Sequence, residues 1–342
     1  MSKDIYVVAE QRDGIVAKVA IELIGEATKL AADLGQKVYA VLLGDENIKD
    51  RAQDLIEAGA DGVVYVADKM LAEYVTEPYT KAMTQIIKEC DPEIVLFGAT
   101  AIGRDFAPRV AQRIYTGLTA DCTKLDIDVW KANDEDPGQK LLFMTRPAFG
   151  GNIMATILCK TRRPQMATVR PGVMKRIEKV PGKKGEVKEI KVQFTAADMN
   201  VKIREIIKEE HKKVDITESK VLISGGRGIG SPEAYGMLRE LADVLGGEIS
   251  SSRANVDAGW IEKDRQVGQT GKTVRPQLYM ACGISGAIQH VAGMEGSECV
   301  VAINKNDTAA IFDVSDLGIV GDVKVIIPKL TAALKKYKVD NA

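Results

Sequence analysis

The sequence predicts two doubly wound α/β domains, each built on a parallel sheet. Three observations carry this: short continuous apolar runs, amphipathic helical stretches between them, and glycine-rich turns where the runs end. At 342 residues the chain has the length of about two domains.

The first apolar run covers residues 5–9. Residues 17–34 follow with apolar positions at helical spacing (Ile21, Leu23, Ile24, Ala27, Leu30, Ala31, Leu34), and Gly35 stands where a helix C-cap belongs. Strands over 38–43 and 62–66 bracket a helix over 49–58. A helix over 78–90, with Pro78 near its start, leads to a fourth strand over 93–97, ended by Gly98. Residues 98–105 (GATAIGRD) lie at the carboxyl end of that strand, where open α/β sheets bind ligands. A plain turn into a helix N-terminus is the competing reading.

After Thr119 the pattern changes. Runs at 122–129, 140–145, 152–158, 165–170 and 186–194 read as strands, separated by the turn compositions 133–138 and 181–185. They are expected to extend or flank the first sheet as antiparallel strands. Residues 146–152 (RPAFGGN) form a second glycine-rich turn, either a tight connection or a functional loop. The charge-dense stretch 200–215 is the best boundary, which gives domains at 1–205 and 206–342. His211 lies within it and reads as a solvated surface residue.

The second domain opens with a strand over 221–224 and the turn 225–230 (GGRGIG). Ser231 is the expected N-cap of the next helix, with Pro232 at N1 and Glu233 in the first turn. That helix stops at Gly246-Gly247. The glycine spacing is not GxGxxG, so the usual dinucleotide fingerprint is absent. Backbone N–H groups with Arg227 beside them still suit a pyrophosphate. The next strand, 248–253, ends in Ser252-Arg253, and a guanidinium at that edge suits an anion or an electron-accepting ring.

The polar loop 266–272 (QVGQTGK) follows, rich in groups that wrap a phosphate or a ring edge. A strand over 278–282 then leads to the turn 283–290 (GISGAIQH), with Ser285 as the expected N-cap. His290 follows a turn and a half later. A strand over 300–303 delivers Asn304, a strand is expected at 311–314, and a helix over 325–336 closes the chain. Arg227, Ser252-Arg253, Gln269-Thr270, Ser285 with His290, and Asn304 thus share one sheet edge. They outline a cleft for a large polar ligand, a dinucleotide.

Composition excludes several classes. Lys and Arg number 47 against 48 Asp and Glu, a net charge of −1, which argues against nucleic acid as a partner. Aromatic residues make up 5%, too few for base-stacking platforms. No run of eighteen apolar residues reads as a membrane span. Five scattered cysteines (Cys90, Cys122, Cys159, Cys282, Cys299) without CxxC spacing suggest neither zinc nor iron–sulfur, and no metal site is expected. They fit a reducing cytoplasm. The N-terminus enters a strand at once, which leaves no room for a transit peptide and favours a prokaryotic, cytoplasmic protein.

The motifs SGGRG (224–228), SR (252–253), VDAG (256–259), QVGQTGK (266–272), GISGAIQH (283–290) and AINK (302–305) occur in that order. Together they resemble the alpha (large) subunits of electron-transfer flavoproteins. The likeness is most specific over 220–325 and looser over the first half, through ATAIGRD and RPAFGGNIMA. It implies an FAD-binding, Rossmann-like second domain holding one FAD, and a first domain that pairs with a beta subunit.

By this resemblance Arg227 contacts the FAD, and Ser252 and Arg253 lie near the flavin. The Arg253 cation would stabilise the reduced, anionic ring. Gln266, Val267, Gly268, Gln269 and Thr270 wrap the isoalloxazine. Gly283, Ser285, Gly286, Ala287, Ile288, Gln289 and His290 hold the pyrophosphate and ring edge, with His290 a donor at the O2 side. Asn304, Asp322 and Val323 contact the adenosine half. Arg253 and His290 are the residues that tune the redox chemistry.

Two roles follow from the family. In the bifurcating role, favoured by general likeness to anaerobe sequences, the beta subunit holds a second FAD that oxidises NADH. Electrons then pass to ferredoxin or flavodoxin and, through the alpha flavin, to an acyl-CoA dehydrogenase. In the housekeeping role of fatty acid oxidation, electrons pass from acyl-CoA dehydrogenases to a quinone reductase, and the beta subunit holds AMP. Readings of other classes are a non-redox nucleotide-binding sensor and an NAD(P)-dependent dehydrogenase, the latter opposed by the missing GxGxxG.

Overall fold

The computed structural model describes residues 3–133, 135–148, 153–207 and 215–340. His211 and most of the turn at 146–152 lie outside them. The described residues form two compact units, one of residues up to 148 with 153–207, the other of residues 215–340.

The first unit runs β1 (Ile5–Val8), β2 (Gln11–Arg12), β3 (Ile15–Val16), α1 (Lys18–Leu34), β4 (Val38–Gly44), α2 (Ala52–Glu57), β5 (Gly62–Ala67), α3 (Thr76–Cys90), β6 (Ile94–Gly98) and α4 (Ala101–Arg113). It continues with β7 (Leu118–Cys122), β8 (Lys124–Trp130), β9 (Gln139–Pro147), β10 (Met154–Ile157), β11 (Gln165–Val169) and β12 (Glu186–Glu189). Helix α1 buries Leu23, Ile24, Ala27 and Leu30, and ends at Gly35 in the left-handed region, φ 68°.

Seven strands form one parallel sheet in the order β12-β5-β4-β1-β6-β11-β7. Helices α1 and α2 and the separate sheet β10-β9-β8 pack on one face, α3 and α4 on the other. Among the described strands after Thr119, only β8, β9 and β10 pair antiparallel; β2 and β3 form a separate antiparallel pair near the start. The expectation of antiparallel strands therefore holds for β8, β9 and β10 and is corrected for β11 and β12, which run parallel in the sheet; β7, also parallel, lies ahead of the run at 122–129. All five residues of β11 are buried because it runs between β6 and β7, with both faces covered. An apolar run of that length does not encode strand direction.

The turn at 98–105 is closed by its own side chains. Thr100 caps α4: its Oγ1 accepts the Gly103 N–H at 3.0 Å, while its hydroxyl donates to the Glu10 carboxylate. Burial pushes the Glu10 carboxyl above its usual range, partly offset by Thr100. The cavity beside them, lined by Glu10, Gln11, Gly98 and Ile102, measures about 20 Å³, room for a water and not for a nucleotide. Thr100→Ala should cost about 1 kcal/mol of stability, read as a lower urea midpoint at constant slope. An unchanged midpoint would mean the cap contributes nothing.

The second unit runs β13 (Val221–Gly225), α5 (Tyr235–Leu245), β14 (Glu248–Ser251), α6 (Arg253–Asp257), β15 (Leu278–Cys282), α7 (Ile288–Val291), β16 (Val300–Asn304), β17 (Leu317–Val320) and α8 (Val323–Asp340). Its five strands are parallel in the order β14-β13-β15-β16-β17. Helices α5 and α8 cover one face; Val267, Ile284, Met294 and Ile311 pack on the other.

Four local expectations change. Arg253 opens α6 instead of closing a strand, because Ser252 already turns the chain as its N-cap. Ser285 does not cap α7; Ala287 does. Residues 310–314 are a 3-10 turn, held where the Ile311 N–H meets Ser285 O at 3.1 Å. The strand that was placed there is β17, disguised by Gly318, where a Cβ would stand 2.7 Å from the Phe312 ring. Ser231 is the N-cap, with Pro232 at N1 and Glu233 in the first turn, but of a 3-10 turn (Pro232–Ala234) that runs into α5, and its side chain makes no cap bond.

Candidate functional site

Strand order reverses between β13 and β15, and the crevice at their carboxyl ends is where such sheets bind ligands. A cleft of about 570 Å³ opens there, within the size range of small-molecule and cofactor sites. Three elements build it: the turn after β13, the start of α6, and the loop 266–272 lying against the turn after β15.

The two glycine turns are fastened to each other. Gly226 N–H donates to Cys282 O at 2.9 Å and Gly228 N–H to Gly283 O at 3.0 Å. A Cβ on Gly283 (φ 63°) would lie 2.7 Å from the Gly228 backbone. These bonds consume amides that the sequence reading assigned to a phosphate. The turn after β15 keeps its own: among the described residues, the N–H groups of 284–288 donate to no backbone carbonyl. Arg227 stands beside them, exposed, and among the described residues its side chain makes neither a hydrogen bond nor an ion pair.

The loop 266–272 is docked on α7. Gln269 N–H donates to Gln289 O at 2.7 Å, and a Cβ on Gly293 would lie 2.3 Å from Gly268 N. Thr270 Oγ1 accepts from Gln266 Nε2 at 2.9 Å, which leaves the Thr270 hydroxyl proton free to donate. Arg253 Nε reaches Asp257 Oδ2 at 3.1 Å, one turn along α6.

His290 is buried at 6% exposure, and both ring nitrogens are engaged. Nδ1 donates to Val267 O at 3.1 Å, so Nε2 accepts from the Tyr279 hydroxyl at 2.9 Å. The donor role implied for His290 therefore meets a ring with no free N–H in this arrangement. Burial pushes its pKa down to about 4, opposed by the Val267 carbonyl. A folded-state pKa below the unfolded value of about 6.5 gives stability that is whole above that value and lost as pH falls towards 4. Denaturation midpoints should thus fall from pH 6.5 to 4.5 more steeply in wild type than in His290→Gln; parallel curves would contradict this.

Of the residues singled out from the sequence, Arg227, Ser252, Arg253, Gln266, Val267, Gly268, Gln269, Thr270, Gly283, Ser285, Ala287, Gln289, His290 and Asn304 line the cleft. Four do not. Gly286 is packed under Ile311, Ile288 is 44% exposed, Val323 is a core residue, and Asp322 pairs with Lys305 at 3.0 Å. Asp257 and Ile284 line it without having been assigned to it. The Arg253–Asp257 spacing is an i,i+4 helical pair, a signal masked by reading a strand there.

A parallel sheet with such a cleft at its switch point is the arrangement in which α/β domains bind nucleotides and other ligands. Residues 5–195 match the electron transfer flavoprotein domain, and residues 215–295 the electron transfer flavoprotein FAD-binding domain. The chain belongs to the electron transfer flavoprotein family. Among its relatives, the electron transfer flavoprotein subunit alpha of Thermoanaerobacterium thermosaccharolyticum is 54% identical, over 98% of this chain and 99% of the relative. The subunit alpha of Megasphaera elsdenii is 50% identical over 98% and 97%. The acryloyl-CoA reductase electron transfer subunit beta of Anaerotignum propionicum is 44% identical over 98% and 96%.

Proposed function

We propose that the chain is the alpha subunit of a heterodimeric, cytoplasmic electron carrier whose second-domain cleft holds one FAD. The observation that carries this is an unpaired Arg227 beside the free amides of 284–288, at the sheet's switch point. Such a donor set fits a pyrophosphate. When bound, FAD supplies one- and two-electron chemistry.

The chain's residues do the rest. Arg227 and the turn after β15 orient the pyrophosphate. The loop 266–272 would cover the ring, where the Thr270 hydroxyl proton is free to serve as a donor and Gln269 stands beside it. Arg253 places a cation where charge develops on reduction. Asn304 braces the turn, donating to Ile284 O at 2.8 Å; Asp322, further along the same edge, would contact the adenosine half. Arg253→Ala should lower the flavin potential, shifting the reduction equilibrium about tenfold. The effect stays modest because the pair with Asp257 is well exposed and screened. Spectroelectrochemical titration reads it, and an unchanged potential would remove Arg253 from the role.

The partner is a beta subunit, and the reading we favour is bifurcation, with a second FAD there oxidising NADH. Support comes from relatives in anaerobes, one of them named for an acryloyl-CoA reductase. An acyl-CoA dehydrogenase and a ferredoxin or flavodoxin would then be the electron acceptors. Purifying the chain with its partner, counting FAD and titrating with NADH tests this. Two FADs with rapid reduction support it; one FAD plus AMP, unreactive with NADH, rejects it in favour of the housekeeping role.

A further inference from the structure

Beneath the cleft lies a group of buried hydroxyls that do not line it. Tyr279 on β15 is wholly buried, and its hydroxyl meets His290 Nε2. Sheet register pairs Tyr279 with Leu222, and Ser224 with Ser250 of β14. Residues two apart share a sheet face, so Tyr279, Ser224 and Ser250 point into the same layer. Ser224 Oγ and Ser250 Oγ are fully buried and, among the described residues, have no hydrogen-bond partner. Burial pushes the Tyr279 phenol up, and these two hydroxyls lie close enough to offset part of that rise.

Partnerless buried hydroxyls are costly, and two beside a phenol point to a second hydrogen-bond arrangement. A phenol hydroxyl has one proton to donate and lone pairs to accept with. In the arrangement seen, it donates to Nε2. In the other, Nε2 carries a proton and donates to the phenol oxygen, and the phenol proton turns to Ser224 or Ser250. We infer that Tyr279, Ser224 and Ser250 form a hydroxyl relay that lets His290 accept a proton while the phenol proton keeps a buried acceptor. The new N–H bond forms at Nε2 as an O–H bond of hydronium in the cleft breaks and leaves water; the phenol keeps its own O–H bond and only exchanges acceptors.

The use of this relay rests on the FAD reading: negative charge arriving in the cleft is matched by an imidazolium beneath it. The other charges around the cleft are Arg227, Arg253 and Asp257, with Lys272 paired to Asp215 on the loop. Behind the phenol, Cys282 and Tyr235 are both held neutral by burial. Tyr279 is thus a positioning residue, acting through His290.

The chain has two histidines, so ¹⁵N-histidine NMR of the full chain with its copurified partner resolves the ring, and His211→Gln assigns it. Near neutral pH the wild-type ring should be the neutral Nδ1–H tautomer with a hydrogen-bonded Nε2. The pair Ser224→Ala/Ser250→Ala should keep that tautomer but need about tenfold more acid to protonate. Tyr279→Phe should lose the hydrogen-bonded Nε2 signature and also resist protonation. At fixed pH, reduction with dithionite should raise the imidazolium signal in wild type and not in the serine pair. A serine pair that titrates like wild type, or a wild-type ring unmoved by reduction, overturns the relay. Flavin absorbance of the same samples is judged separately: a colourless wild type would sink the FAD reading, while the acid titration would still decide the relay.

Discussion

Gly283→Val should empty the cleft, lowering FAD affinity at least a hundredfold. Gly283 has φ 63°, where a β-branched residue is strained by about 1–2 kcal/mol. Its Cβ would also stand 2.7 Å from Gly228 C and Cα and 2.9 Å from Ile229 N, all backbone atoms that cannot swing aside. Overpacking of that kind costs a further 1–3 kcal/mol or so, and the turns relieve it by parting. Parting breaks the Gly228 N–H to Gly283 O bond and moves both Arg227 and the free amides that follow Gly283. Gly236→Ala in α5 is the control, since a Cβ there meets nothing within 4 Å. It should retain FAD and gain roughly 0.5–1 kcal/mol of stability. Equilibrium dialysis gives the affinity and thermal melts separate it from unfolding.

Arg227→Ala should weaken FAD binding about ten- to a hundredfold, the worth of one charge-assisted hydrogen bond. Because the Arg227 side chain makes no hydrogen bond or ion pair among the described residues, its removal leaves no orphaned partner, so the melting temperature without FAD should not change. That separation distinguishes Arg227 from Arg253, whose loss also frees Asp257. Arg227→Lys should recover only part of the affinity, since an ammonium lacks the planar fork. Raising salt should narrow the gap between wild type and Arg227→Ala, given the exposed position. Equal affinities at low salt would mean that the pyrophosphate lies elsewhere.

Much of this site was legible because glycines punctuate the strand ends. The turns at 225–230 and 283–286 and the loop 266–272 sit where the apolar runs stop, and the structure gathers them around one cleft. What the sequence hid were choices made by tertiary contacts. The turn at 310–314 exists to cover Gly286, so Ile311 serves a core rather than a strand. Gly318 sits inside β17 because Phe312 leaves no space for a side chain, which made a strand look like a loop. The amides of Gly226 and Gly228 looked free for a phosphate, but a neighbouring turn, distant in sequence, uses them. In the first unit, strand direction was invisible because an apolar run buried on both faces reads the same either way. Tyr279 carried no signal at all, being one aromatic residue in an apolar strand until its hydroxyl is seen against His290.

The central claim is that the flavin lies at the switch point of the second domain. Reconstituting the full chain and its partner with 8-azido-FAD, irradiating, and mapping the labelled peptides tests it most directly. Label should fall on peptides containing residues 252–257, 266–272 or 283–290, and be lost in Gly283→Val. Label confined to residues 5–195, or to the partner alone, would contradict the account.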